Sequence, residues 1–268
     1  MPKAETISSA ANPLLKDVRR AIARGGLTRD GLAVAETFHL LEEALRSDCD
    51  VRMVLAAESV LSAAEAHVRK IPGIRVAVLP DALFQSLSGT ETAQGVMALV
   101  QPPAWSIEQL LRRHALVIVL DGLQDPGNAG TIVRAAEAFG ATGVLFLKGS
   151  VNPHNPKTLR ASAGSIFRVP YLPGVDPALA RAALQQHRIA LYATVPPRAG
   201  AAVASVADTD FTVACGLIIG NEARGVSSVL RSAAVDLSIP TVGVESLNAA
   251  VAAGILLYEA RRQRAIRP

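Results

Sequence analysis

Apolar residues recur along this chain in two rhythms. In NPLLKDVRRAIAR, Leu14, Leu15, Val18 and Ile22 fall at helical spacing, with Asn12 placed to cap and Pro13 at the first helical position. Beyond Gly25 and Gly26 the pattern predicts a helix around 36–46, a strand at VRMVLAA and a helix around 59–70. A strand at IRVAVLP, a short helix capped by Asp81 and a strand at GVMALV follow. Alternation of this kind predicts a small α/β domain over residues 1–104. QPPAW, at 101–105, suits neither period, and with a short helix before His114 it predicts a linker at 105–114.

From Ala115 onward the apolar runs are short and unbroken: ALVIVL, GVLFL, IALYA, TVACGLII and VDLSI. Runs of this kind are what strands buried on both faces of a parallel sheet require. Between them lie a helix over 131–139 stopped by Gly140 and another over 176–187 opened by Asp176 and Pro177. The pattern predicts an α/β fold with a doubly wound parallel sheet over 115–268, whose ligands sit beyond the carboxyl ends of the strands. Residues 247–258 are apolar almost all round and predict a buried helix.

Three loops at predicted strand ends carry unusual polar content: DGLQDPGNAGTIVR, IGNEARGVS and IPTVGVESLN. In the first, Gly127, Asn128 and Gly130 predict a tight turn into a helix N-terminus, a favourable anion site, with Arg134 in or near the first turn; an ordinary crossover turn with a surface Arg reads the same way. In the second, Gly220 permits close backbone approach, and Asn221, Glu222 and Arg224 present an amide, a carboxylate and a guanidinium. Glu222 and Arg224 equally suit a loop ion pair. In the third, Ser246 is placed to cap a helix that holds Asn248 two residues further on. Position on the sheet makes the three loops one candidate site.

Composition narrows the class. The 268 residues are 50% hydrophobic, with Lys+Arg 27 against Asp+Glu 23, a net charge of +4 and a pI near 9.4. That balance permits a nucleic-acid partner without requiring one. Lys16, Arg20 and Arg24 form a stripe one turn apart, a solvated helix face or a phosphate-contacting one. The basic exit EARRQRAIR suits a helix C-terminus or an RNA-facing edge. Cys49 and Cys215 lie far apart, which fits a reducing, cytoplasmic location, and no signal-peptide pattern or membrane-length apolar run is present. A G-x-G-x-x-G turn, a Walker A loop and a G-x-S-x-G elbow are missing, and the five histidines lack metal-ligand spacing, so no metal is expected.

Together the three loops resemble the motifs of the SpoU (TrmH) family of RNA 2′-O-ribose methyltransferases, in the SPOUT superfamily. NAGTIVRAAEAFG matches the first motif, IIGNEARGVS the second and IPTVGVESLNAAVAAGILLYEARRQR the third; LRASAGSIFRVP resembles the segment between the first two. The N-terminal part resembles more loosely an L30e-like substrate-binding domain, although Glu36-Thr37 stands where relatives commonly show Glu-Gly. The resemblance implies a deep trefoil knot in the C-terminal domain, bent S-adenosylmethionine held in it, and a homodimer whose interface completes the site. It places Asn128, Arg134, Glu222, Ser246 and Asn248 on catalytic positions. Gly220, Ile239, Leu247 and Thr194 go to the cofactor; Lys16, Arg20, Arg24 and Arg160 are the residues expected to contact RNA. The implied reaction is methylation of ribose in 23S ribosomal RNA; a transfer-RNA enzyme and a non-catalytic RNA-binding module are the alternatives.

Overall fold

The computed structural model describes residues 5–47, 49–90, 93–196 and 203–266. These fall into two compact units, one of residues 1–104 with 154–167, the other of 105–153 with 168–268.

The first unit runs β1 (Glu5–Thr6), α1 (Pro13–Arg24), β2 (Ala33–Glu36), α2 (Phe38–Arg46), β3 (Val51–Ala57), α3 (Leu61–Val68), β4 (Arg75–Leu79), α4 (Asp81–Leu87) and β5 (Val96–Val100). Its sheet has the order β1-β4-β3-β5-β2, with β5 antiparallel to both neighbours. Leu15 and Val18 of α1 pack with Leu55, Leu79, Phe84 and Met97 in its core. Asn12 caps α1 as expected, its Oδ1 accepting from Leu14 N at 2.9 Å.

The helix expected around 36–46 starts later, because 33–36 is strand β2 and Thr37 turns the chain. Thr37 has φ 126°, a region open mainly to glycine, and its Oγ1 accepts from Leu40 N at 3.1 Å to cap α2. Thr37 thus bears backbone strain and supplies a helix cap in exchange. Asp81 is the first residue of α4 rather than its side-chain cap; it accepts from the Ser59 hydroxyl.

The second unit opens with α5 (Ile107–Leu110), β6 (Leu116–Asp121), α6 (Pro126–Ala138) and β7 (Gly143–Leu147). The stretch read as a linker is folded: Leu110 and Leu111 are buried in this unit's core, and Trp105 packs against it. The chain next contributes α7 (Pro156–Ser162) to the first unit. There Arg160 Nη1 donates to the buried Glu36 carboxylate at 3.0 Å, with Thr90 Oγ1 donating to the same group at 3.0 Å. The chain then continues with β8 (Tyr171–Val175), α8 (Pro177–Gln186), β9 (Ala190–Thr194), β10 (Ala204–Ser205), β11 (Cys215–Gly220), α9 (Ser228–Arg231), β12 (Val235–Ser238) and α10 (Ala249–Ile266). Strand β8, YLPGV, has no strand-like pattern because Pro173 and Gly174 interrupt it, which an edge strand tolerates.

All seven strands are parallel, in the order β10-β12-β9-β11-β6-β7-β8. One face buries Val117, Val119, Leu145 and Ile218 with Leu184 of α8 and Leu230 of α9. The alternate residues Leu116, Ile118 and Leu120 bury the other face, on which α6 and α10 lie. Strand β12 lies outside β9, yet α10 packs on α6 and β11, so residues 239–248 travel back across the sheet's carboxyl edge. That return brings the third loop beside the second.

Helix α10 is not buried all round: Leu256, Leu257 and Ala260 are, while Val251 and Tyr258 are 51% and 56% exposed. Two arginines of its basic end are structural, while Arg267 lies outside the described residues. The Arg264 guanidinium donates to the carbonyls of Phe211, His114, Val213 and Ala115 at 2.7–3.1 Å, and Arg262 pairs with Glu259. Five rigidly placed donors let one Arg satisfy several loop carbonyls at once.

Candidate active site

Asp121 ends β6 and Gly220 ends β11, and these strands are paired in register up to that point. Two polar turns therefore start side by side. The second turn closes on itself: Asn221 and Gly225 exchange both backbone hydrogen bonds, at 3.0 and 2.8 Å. The Asn221 side chain fixes it further, its Oδ1 accepting from Ala223 N and Arg224 N at 3.0 Å and its Nδ2 donating to Gly122 O at 2.8 Å. Below, Ser227 N donates to the buried Asp121 carboxylate at 2.7 Å. Asn221 and Asp121 thus hold loop against strand, a role for which the sequence offered no signal in Asp121 and only an amide in Asn221.

Gly220 is required by this closure. A Cβ there would sit 2.5–2.6 Å from Val226 N and Gly225 O, backbone atoms of its own loop. The sequence suggested glycine for close approach to a ligand; the close approach is internal.

The first loop differs from its expected shape. Helix α6 begins at Pro126, so Gly127, Asn128 and Gly130 are helical and form no turn. Asp125 occupies the end, accepting from Asn128 N at 2.6 Å, and a carboxylate there displaces the anticipated anion. Arg134 consequently stands in the third turn of the helix rather than near its start. It is exposed and makes no side-chain hydrogen bond among the described residues.

Asn248, not Ser246, caps α10: its Oδ1 accepts from Ala250 N and Val251 N at 2.9 and 3.3 Å. That fixes the amide orientation, because only oxygen can receive two N–H groups. Asn248 Nδ2 then donates to Asn128 Oδ1 at 3.0 Å, which turns Asn128 Nδ2 toward Glu222 Oε1 at 3.5 Å. A polar chain with one sense of donation, Asn248 to Asn128 to Glu222, links residues from all three loops.

The chain borders a cleft of about 490 Å³, within the usual size of small-molecule sites. Thr194, Ile219, Gly220, Leu237, Ile239 and Leu247 supply much of its apolar wall; Glu222, Arg224, Ser246 and Asn248 supply polar groups. All four residues expected to meet the cofactor are among the lining, as are three of the five catalytic candidates, and Asn128 is joined through Asn248. Arg134 is not in the lining. Arg231, also there, is occupied by a two-point ion pair with Asp236. Cys215 is no nucleophile, since burial pushes its thiol up to about 11. Among the described residues no group of three metal-binding side chains occurs, and no helix is long and apolar enough to cross a membrane.

The orientation chain makes a prediction for Asn248→Asp. A carboxylate caps a helix as well as an amide does, so stability should stay within about 1 kcal/mol. It cannot donate, however, and would face Asn128 Oδ1 acceptor to acceptor, turning Asn128 away from Glu222. Turnover at the cleft should fall about 100-fold while the thermal melt barely moves; equal turnover would show that the chain is not used.

Known proteins carry the same architecture. The model of the SpoU rRNA methylase family matches residues 115–258, and that of the MRM3-like substrate binding domain matches residues 12–98. A 23S rRNA guanosine 2′-O-methyltransferase of Bacillus subtilis is 32% identical over 257 residues, spanning 95% of this chain and 98% of its own. The SpoU methyltransferase AviRb of Streptomyces viridochromogenes, solved in complex with S-adenosylmethionine, superimposes with a TM-score of 0.83 at 28% identity, covering 95% of this chain and 100% of that one. An S-adenosylmethionine-bound rRNA methyltransferase of Sinorhizobium meliloti gives 0.78 at 25% identity, over 97% of this chain and 98% of that one. With the family model matching more than half of the chain and a relative 32% identical over 95% of it, the chain belongs to the SpoU rRNA methylase family.

Proposed function

We propose that this protein transfers the methyl group of S-adenosylmethionine to a ribose 2′-hydroxyl of 23S ribosomal RNA, acting as a cytoplasmic homodimer. The observation that carries the reading is the chain from Asn248 through Asn128 to Glu222 at a cleft of about 490 Å³. The cleft's size and its mixed wall of Gly220, Ile239, Leu247 and Thr194 fit the methyl donor. The return of residues 239–248 across the sheet supports the trefoil knot expected of this family.

When bound, S-adenosylmethionine supplies a methyl group already activated by its sulfonium. The protein's part is alignment and removal of one proton. Asn128, Asn248 and Ser246 orient the sugar, and Glu222 takes the hydroxyl proton as the new carbon–oxygen bond forms and the methyl–sulfur bond breaks, its electron pair leaving with sulfur as a neutral thioether. Arg134 holds a neighbouring phosphate, because a guanidinium keeps its own proton at any working pH.

Arg134 lies outside the cleft of its own protomer, which favours a dimer. Helix α6 packs on α10, Phe139 meets Tyr258 edge-on at 5.9 Å, and Val251 and Tyr258 leave that side apolar and open. A second copy covering this face buries the apolar residues and carries Arg134 toward the partner's cleft.

The substrate reading rests on relatives that act on 23S RNA and on the matched substrate-binding domain. Separated 23S, 16S and transfer RNAs incubated with labelled methyl donor test it: label should enter 23S RNA alone. Within the first unit, Lys16 and Arg24 are exposed, and Arg20 is held loosely by Asp17 at 3.7 Å. Arg160, also expected to touch RNA, is instead engaged by Glu36. Changing Lys16, Arg20 and Arg24 together to Ala should weaken RNA binding and lower the slope of log affinity against log salt by about three. An unaltered slope would make the stripe a solvated face.

A further inference from the structure

We propose that Arg224 binds a backbone phosphate of the RNA next to the ribose being methylated, an assignment that rests on the function proposed above and adds a contact to it. Arg224 lines the cleft and is exposed. The sequence left open an ion pair between it and Glu222, but none is found between them; the Glu222 carboxylate is met by Asn128 instead. Of the two guanidiniums in the cleft wall, that of Arg231 is taken by Asp236, whereas that of Arg224 has no hydrogen-bond or ion-pair partner among the described residues.

The Arg224 main chain is nevertheless fixed. Its N–H is bound by Asn221 Oδ1 at 3.0 Å, inside a turn closed at both ends by Asn221 and Gly225. A cation on a fixed base, two residues from the proposed proton acceptor, calls for an anion that arrives with the substrate. Phosphodiesters flank every ribose in RNA, so a 2′-hydroxyl delivered to Glu222 brings phosphate along. A planar guanidinium matches phosphate through two parallel hydrogen bonds. Exposure at the cleft favours the RNA strand over the donor's own carboxylate as the occupant.

The test compares Arg224→Ala and Arg224→Lys with the native protein, using 23S RNA and S-adenosylmethionine. Arg224→Ala should raise KM for RNA by about 10- to 100-fold, the loss of one charge-assisted contact. It should leave kcat within about threefold and reduce the salt slope of RNA binding by about one. Calorimetric affinity for S-adenosylmethionine, which also reports folding, should not change. Arg224→Lys should recover the salt slope but only part of the affinity. Unchanged RNA affinity and slope in Arg224→Ala would overturn the assignment, as would weakened donor binding with RNA binding intact. The slope is measured without turnover, so absence of methyl transfer by the native protein would count against the proposed reaction and not against this contact.

Discussion

Arg134→Ala is expected to lower methyl transfer by about a thousandfold or more while affinity for S-adenosylmethionine stays within about twofold. The size follows from the task assigned to the residue: positioning a flexible RNA strand for in-line attack accounts for much of the barrier reduction in a transfer to an already activated methyl. The selectivity follows from place. Arg134 is exposed in the third turn of α6, makes no side-chain hydrogen bond among the described residues and does not line the cleft, so neither folding nor donor binding depends on it.

The proposed dimer-built site adds a sharper expectation. Arg134→Ala and Asn248→Asp protomers, each nearly inactive, should regain about a quarter of native activity when unfolded and refolded together. Random pairing makes half the dimers mixed, each with one intact cleft. Mixtures no more active than their parents would show that Arg134 acts within its own protomer.

Gly220→Ala is expected to abolish donor binding. The added methyl would lie 2.5 Å from Val226 N and 2.6 Å from Gly225 O, so the closed second turn must open. That turn carries Glu222 and Arg224 and is bound to Gly122 through Asn221. Destabilisation of about 2–4 kcal/mol and a loss of donor affinity beyond about 100-fold should follow in melts and calorimetry. Gly225→Ala is the control: φ is +69° there, but nothing lies within 4 Å of the added carbon, so about 1 kcal/mol is expected. Equal, mild effects at both positions would refute the closed-turn account.

Much of the fold was legible in the pattern of apolar residues. The buried strands of the parallel sheet read directly, since residues covered on both faces must be apolar. The caps of α1 and α8 read from Asn12-Pro13 and Asp176-Pro177. Local pattern misleads where tertiary contacts override local preference. Gly127 and Gly130 look like turn residues, yet Asp125 and Pro126 start the helix ahead of them. Glu36 looks like a helix start, yet it ends a strand and is buried against Arg160 and Thr90. Sequence position alone brought Asn128, Glu222, Ser246 and Asn248 to one sheet edge. It did not reveal that Asn248 is the cap or that the amide chain has a single sense. Arg134 off the cleft was likewise illegible, because the early start of α6 at Pro126 carries it into the third turn.

The central claim, that three strand-end turns hold a methyl donor against a sugar hydroxyl, is tested most directly by locating the transferred methyl. Native protein, radiolabelled S-adenosylmethionine and 23S RNA should give label at one nucleotide whose 3′ linkage resists alkaline cleavage, since only a blocked 2′-hydroxyl confers that resistance. Label on a base, with every linkage still cleaved by alkali, would contradict the account.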